Sequence, residues 1–151
     1  MKIKDALFRL NDFCIANDIE YMVTGTLALA MLGIPASPQD IDIKVFNLNE
    51  EQNARLKELE KLSGLENANY SDHGCYTFMV KGYKVNAIIS DKQICNTGIS
   101  QVPVVCQAND THKCGIINVQ PVLGALTDKM SLKRSKDKDF MLDLIKTLSS
   151  L

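Results

Sequence analysis

Asp40 and Asp42 stand with one residue between them in a run where the apolar Ile41, Ile43 and Val45 alternate with Asp40, Asp42 and Lys44. Side chains alternate along a strand, so two carboxylates at this spacing point to the same side. Two like charges side by side on a sheet are unfavourable unless a cation or a basic group neutralises them. The pattern therefore asks for a divalent metal, and oxygen donors suit magnesium or manganese. Upstream, Gly25-Thr26 opens a short apolar helix, and backbone N–H groups at a helix N-terminus attract phosphate oxygens. Ser37, in the loop just before Asp40, carries a hydroxyl that can add to such a contact. Each feature has a plainer alternative. Asp-Ile-Asp can be the polar side of an exposed alternating strand, Thr-Gly-Thr is common capping chemistry, and a loop serine can simply stabilise its turn.

The flanking sequence supplies elements to hold these residues. Ile3, Ala6, Leu7, Leu10, Phe13, Cys14 and Ile15 follow helical spacing and predict an amphipathic helix over Ile3–Asn17. Glu20–Thr24 reads as a short strand. Thr24 or Gly25 then caps a helix to Met31, which Gly33 ends. Pro35 and Pro38 punctuate the loop before the strand that carries the acids. Asn49 and Gln52 form a capping box for a helix to about Leu62, closed by Gly64. Lys81-Gly82 reads as a tight hairpin between Tyr76–Val80 and Tyr83–Ile89. Strands are expected over Gln101–Gln107 and Ile116–Val119, and helices from Pro121 to about Ser131 and over Lys136–Leu148. The order predicts a small domain mixing helices and strands.

With 151 residues the chain is long enough for one domain, 1–151, with a sizeable core. It is 46% hydrophobic and 23% charged, which excludes a disordered chain. A formal net charge of −1 gives no global attraction to nucleic acid or membrane. No apolar run is long enough to span a bilayer, and no signal-peptide core follows Met1–Asp5. Five cysteines at scattered spacing fit free thiols in a reducing cytoplasm.

The segments GTLALAMLG and SPQDIDI, taken with the C-terminal run DKMSLKRSKDKDFMLDL, resemble the nucleotidyltransferase superfamily, the fold of DNA polymerase beta. They look most like its minimal abortive-infection and antitoxin-associated members. The matching pieces span roughly residues 20–145, though each is short. The resemblance implies an α+β fold, a mixed sheet with flanking helices. It also implies a nucleoside triphosphate bound with Mg2+ or Mn2+: Asp40 and Asp42 on the metal, Gly25, Thr26 and Ser37 on the phosphates, and Lys129 facing them from a later helix.

Two positions depart from the family pattern. Thr26 stands where Gly or Ser is usual, and its branched side chain crowds the approach to the backbone. Asn86 stands where a third carboxylate is expected. An amide offers a neutral oxygen but cannot act as a base near pH 7, so catalysis is threatened more than binding. Asp72 and Asp91 are the other acids within range of the motif. Lys44 shares a face with Asp42 and can offset the acid pair. Lys129, Lys133 and Lys136 form a basic stripe, or else a solvated face balanced by Asp128, Asp137 and Asp139. His73-x-Cys75 and His112-x-Cys114 could together make a zinc site, but their spacing matches no standard module. Two loop histidines and two half-buried thiols are the plainer account.

The sequence thus points to a cytoplasmic, metal-dependent nucleotidyltransferase that moves a nucleoside monophosphate to an acceptor hydroxyl. The alternative is a degenerate member that binds a nucleotide or a protein partner as an antitoxin-like or regulatory module. A nucleic-acid-binding module is disfavoured by the charge balance and the 6% aromatic content.

Overall fold

The computed structural model describes residues 2–64, 74–90, 98–108, 111–131, 138–140, 142–144 and 146. The chain runs α1 (Lys2–Ala16), β1 (Glu20–Thr24), α2 (Gly25–Met31), β2 (Ile41–Phe46), α3 (Glu50–Leu62), β3 (Cys75–Val80), β4 (Tyr83–Ser90), β5 (Ser100–Ala108), β6 (Thr111–Val119) and α4 (Val122–Ser131). The described residues among 138–146 are also helical. All six strands join one mixed sheet in the order β3-β4-β2-β1-β6-β5. β2 pairs antiparallel with β1 and parallel with β4, while β1 pairs parallel with β6. The architecture is the expected α+β one.

One face of the sheet is the core. Ile41, Ile43 and Val45 of β2, Val23 of β1 and Val85 and Ala87 of β4 are wholly buried in one cluster with Ile3, Ala6, Leu7, Leu10 and Cys14 of α1 and Leu56 of α3. The three- and four-residue spacing of the α1 set places it on a single helix face. Local chemistry sets the element ends. Asn49 and Gln52 form the expected capping box, and the Gln52 amide also donates to the Asn17 and Asp18 carbonyls, tying α3 to the end of α1. After α2, the N–H groups of Gly33 and Ile34 return to the Ala30 and Leu29 carbonyls, with Gly33 at φ +88°. This is the left-handed cap that glycine favours.

β3 is an edge strand, and α3 covers its open side. Glu60 accepts from the Thr77 N–H at 2.7 Å and Ser63 from the Met79 N–H at 3.0 Å, so these backbone donors are not left for another chain to pair with. β6 starts earlier than its apolar residues suggest, at Thr111 instead of Ile116. Its first half, Thr111 to Gly115, pairs with Val104 to Ala108 in the second half of β5. No helix among the described residues is long and apolar enough to cross a membrane.

Candidate active site

The register of four strands lines up Thr24, Asp42, Asn86 and Thr77. Thr24 is opposite Asp42 across β1–β2, Asp42 opposite Asn86 across β2–β4, and Asn86 opposite Thr77 across β4–β3. Residues opposite each other in a sheet share a face, so the four form one polar row on the face away from the Ile41–Ile43–Val45 core. Asn86 Nδ2 donates to Asp42 Oδ1 at 2.9 Å. Thr77 Oγ1 donates to Asn86 Oδ1 at 3.3 Å.

The other oxygen of Asp42 lies against Gly25, the first residue of α2. A Cβ at Gly25 would come within 2.8 Å of Asp42 Oδ2, and Gly25 has φ +66°. Both facts call for glycine, since a side chain would clash with the carboxylate and the backbone is left-handed. Thr24 is the N-cap of α2, but its side chain makes no capping hydrogen bond. The Asp42 carboxylate is what stands at this turn.

Asp40 sits one residue before β2, outside the strand in which the sequence places it. Its Oδ2 is 3.6 Å from Lys84 Nζ, with both side chains 44% exposed. Lys84 is two residues before Asn86 on β4 and so shares its face. Asp40 and Asp42 therefore lie along one side of β4, one beside a lysine and one beside an amide.

Lys44 does not offset the acid pair as expected. Its Nζ is 2.9 Å from Asp128 Oδ2 on α4, and that oxygen also accepts from Gln120 Nε2 at 2.9 Å. The alternation of strand side chains puts Lys44 on the Asp42 face. Its charge, however, is taken by a helix that only tertiary folding brings near. Thr26 is partly buried in the first turn of α2, and Ser37 is exposed in the loop before Asp40. Lys129 belongs to α4, but its side chain lies outside the described residues, as do Asp72, Asp91, His73, Lys133, Arg134, Lys136 and Asp137. His112 and Cys114 are on β6, which three strands separate from Cys75 on β3. At roughly 4.8 Å per strand, Cys75 is far from the backbone of His112 and Cys114.

Thr77 and Lys84 are site neighbours that motif reading missed. The signal was the hairpin: with Lys81-Gly82 as a two-residue turn, pairing outward from Val80 and Tyr83 puts Met79 opposite Lys84 and Thr77 opposite Asn86. Cys75 lies one pleat further along the same face of β3. Burial pushes its thiol pKa up. The Thr77 side chain works against that rise, and the charges of Asp42 and Glu60 add to it.

Among the described residues no three His, Cys, Asp or Glu side chains come together. The candidate donors are the carboxylates of Asp40 and Asp42, with the Asn86 amide beside them presenting its NH2 group to Asp42 and a glycine whose missing Cβ makes room for the Asp42 oxygen. These donors fit a hard divalent cation that brings further oxygens with its ligand, and they do not resemble a closed, thiolate-based site.

No protein-family model and no curated protein sequence matches the chain. Two solved structures do. One is a candidate nucleotidyltransferase from Thermotoga maritima, with a TM-score of 0.51 and 16% identity over 97% of this chain and 96% of that one. The other is an antigenic nucleotidyltransferase-like protein from Paracoccidioides brasiliensis, with a TM-score of 0.47 and 12% identity over 95% and 74%. By its likeness to the first of these, the chain has the fold of the nucleotidyltransferases.

Proposed function

We propose that this protein is a metal-dependent nucleotidyltransferase that moves a nucleoside monophosphate from a nucleoside triphosphate to an acceptor hydroxyl. The observation that carries this is the seating of Asp42 against Gly25, in a row completed by Asn86, on a sheet of the nucleotidyltransferase kind. Asp40 and Asp42 would hold Mg2+ or Mn2+. Gly25, Thr26 and Ser37 would take phosphate oxygens, and Lys129 would add a positive charge from α4. The cation supplies charge neutralisation for the triphosphate. In the transfer the acceptor oxygen bonds to the α-phosphorus, the α–β bridging bond breaks and pyrophosphate leaves. Asn86 cannot take the acceptor's proton, so transfer is slow and that proton passes to Asp42 or to water.

One observation favours a second reading. The Asn86 amide already donates to Asp42, a contact that stabilises the lone carboxylate without a cation. A degenerate, nucleotide-binding regulatory or antitoxin-like module would use the same residues without turnover. A transfer assay with α-labelled triphosphate and magnesium separates the two. A transferase releases pyrophosphate, loses that activity in Asp42→Ala and gains it in Asn86→Asp. Intact nucleotide binding with no pyrophosphate from either wild type or Asn86→Asp contradicts transfer and leaves the binding module.

A further inference from the structure

We propose that Asn86 is a reversible amide switch and that Thr77 is the positioning residue that permits both of its orientations. The inference rests on the reading of Asp42 as a cation ligand. In the structure the amide presents its NH2 group to Asp42 and its oxygen to Thr77. That orientation suits a bare carboxylate and is wrong for a cation, which Asn86 would meet with hydrogens in place of an oxygen. Turning the amide over exchanges its two ends. Oδ1 then faces the Asp42 side as a neutral donor and Nδ2 faces Thr77.

The turned amide points its NH2 group at Thr77, which is only 3% exposed, so on that side the acceptor has to come from the protein. A hydroxyl both donates and accepts, so Thr77 Oγ1 serves in either orientation. In the first it gives its hydrogen to Asn86. In the second it accepts from Asn86, and its own hydrogen can go to Cys75, the thiol two residues earlier on the same face of β3, which the Thr77 side chain already influences. The present Thr77–Asn86 contact, 3.3 Å, is long against the ~2.7–2.8 Å usual between a hydroxyl and an oxygen. The amide is therefore held mainly by Asp42, and a cation on Asp42 removes what holds it. Valine at 77 keeps the volume and loses the hydroxyl, whereas serine keeps the hydroxyl.

The test uses Mn2+ binding followed by electron paramagnetic resonance, and the Asn86 side-chain amide followed by NMR during Mg2+ titration, on the full chain. The expected result is a shift of the Asn86 NH2 signals at saturating Mg2+. Mn2+ affinity falls about tenfold in Thr77→Val, the size of one lost buried hydrogen bond, and stays within about twofold in Thr77→Ser. Wild-type affinity in Thr77→Val, or an equal loss in Thr77→Ser, overturns the role of Thr77. Unmoved NH2 signals at saturation overturn the switch even if Thr77→Val fails to fold. Mn2+ binding by Asn86→Asp but not by wild type overturns it too, showing Asn86 fixed as a donor while the carboxylates remain a cation site. Binding by neither overturns the cation reading itself.

Discussion

On one face of β2, Ile41, Ile43 and Val45 are wholly buried. On the other, the alternating Asp42 and Lys44 stay partly exposed, each joined to a different element: Asp42 to Asn86 on β4 and Lys44 to Asp128 on α4. On the core face, removal of apolar surface from water stabilises the fold by about 1.5–3 kcal/mol per large side chain. On the other face, polar pairs contribute little net stability, about 1 kcal/mol or less each, and instead set the positions of charged atoms. Over Ile41–Val45 the strand therefore carries stability on one side and recognition on the other, with Phe46 buried at its end, and the two should be separable by substitution.

The sharpest way to break that division is on the core side. Ile43→Ala should cost about 3 kcal/mol, lowering the melting temperature by roughly 6–12 °C. A loss under about 1 kcal/mol would mean that this face is not the core.

Gly25→Ala tests the point where the two faces are coupled, because α2 is seated by the Asp42 carboxylate. The methyl group would meet Asp42 Oδ2 at a left-handed residue. A loss of about 2 kcal/mol in thermal unfolding is expected, together with loss of nucleotide binding. An unperturbed variant would dissolve the contact.

Alkaline pH acts most strongly on the core side, where Cys14 and Tyr21 lie. Burial pushes the Cys14 thiol from 9.0 up to about 12. Above pH 9 the unfolded chain releases this proton while the folded chain keeps it. The unfolded state then binds fewer protons and stability falls as pH rises, by about 1.4 kcal/mol per unit until pH 12. Tyr21, raised mainly by burial and further by the charges of Cys14 and Asp12, steepens the fall above its ordinary value. Melting curves between pH 8 and 10 should show a shallower slope in Cys14→Ala. Equal slopes would place Cys14 in contact with water.

The smallest effect should come from Lys44→Met. This breaks an ion pair whose Asp128 side chain is 52% exposed and should cost less than about 1 kcal/mol by chemical denaturation. Magnesium-dependent nucleotide binding should survive it. A loss of binding would move Lys44 into the site.

What the sequence made legible was local. The capping box at Asn49 and Gln52, the Lys81-Gly82 hairpin, the Gly33 helix stop and the strand–turn–helix at Thr24–Gly25 each depend on a few adjacent residues whose chemistry allows few alternatives. The first half of β6 was not legible, because Thr-His-Lys-Cys-Gly has no apolar alternation and owes its extended form to backbone pairing with β5. The partner of Lys44 is 84 residues away in Asp128, a distance no periodicity spans. In the candidate site, Asp40 and Asp42 could be read from their spacing, and Gly25 and Asn86 from the family resemblance. That the Asn86 amide would donate to Asp42, with Thr77 behind it, depended on parallel pairing of β2 with β4, which the sequence does not announce.

The most direct test is thermal unfolding of wild type and Asp42→Ala with each nucleoside triphosphate, in magnesium and in EDTA. A ligand bound only by the folded state raises its melting temperature by mass action. A magnesium-dependent rise in wild type should be absent in Asp42→Ala, whose own unliganded stability stays within about 1 kcal/mol of wild type. An equal rise in Asp42→Ala, or no rise with any nucleotide, would contradict the assignment of this face of β2 to nucleotide and metal.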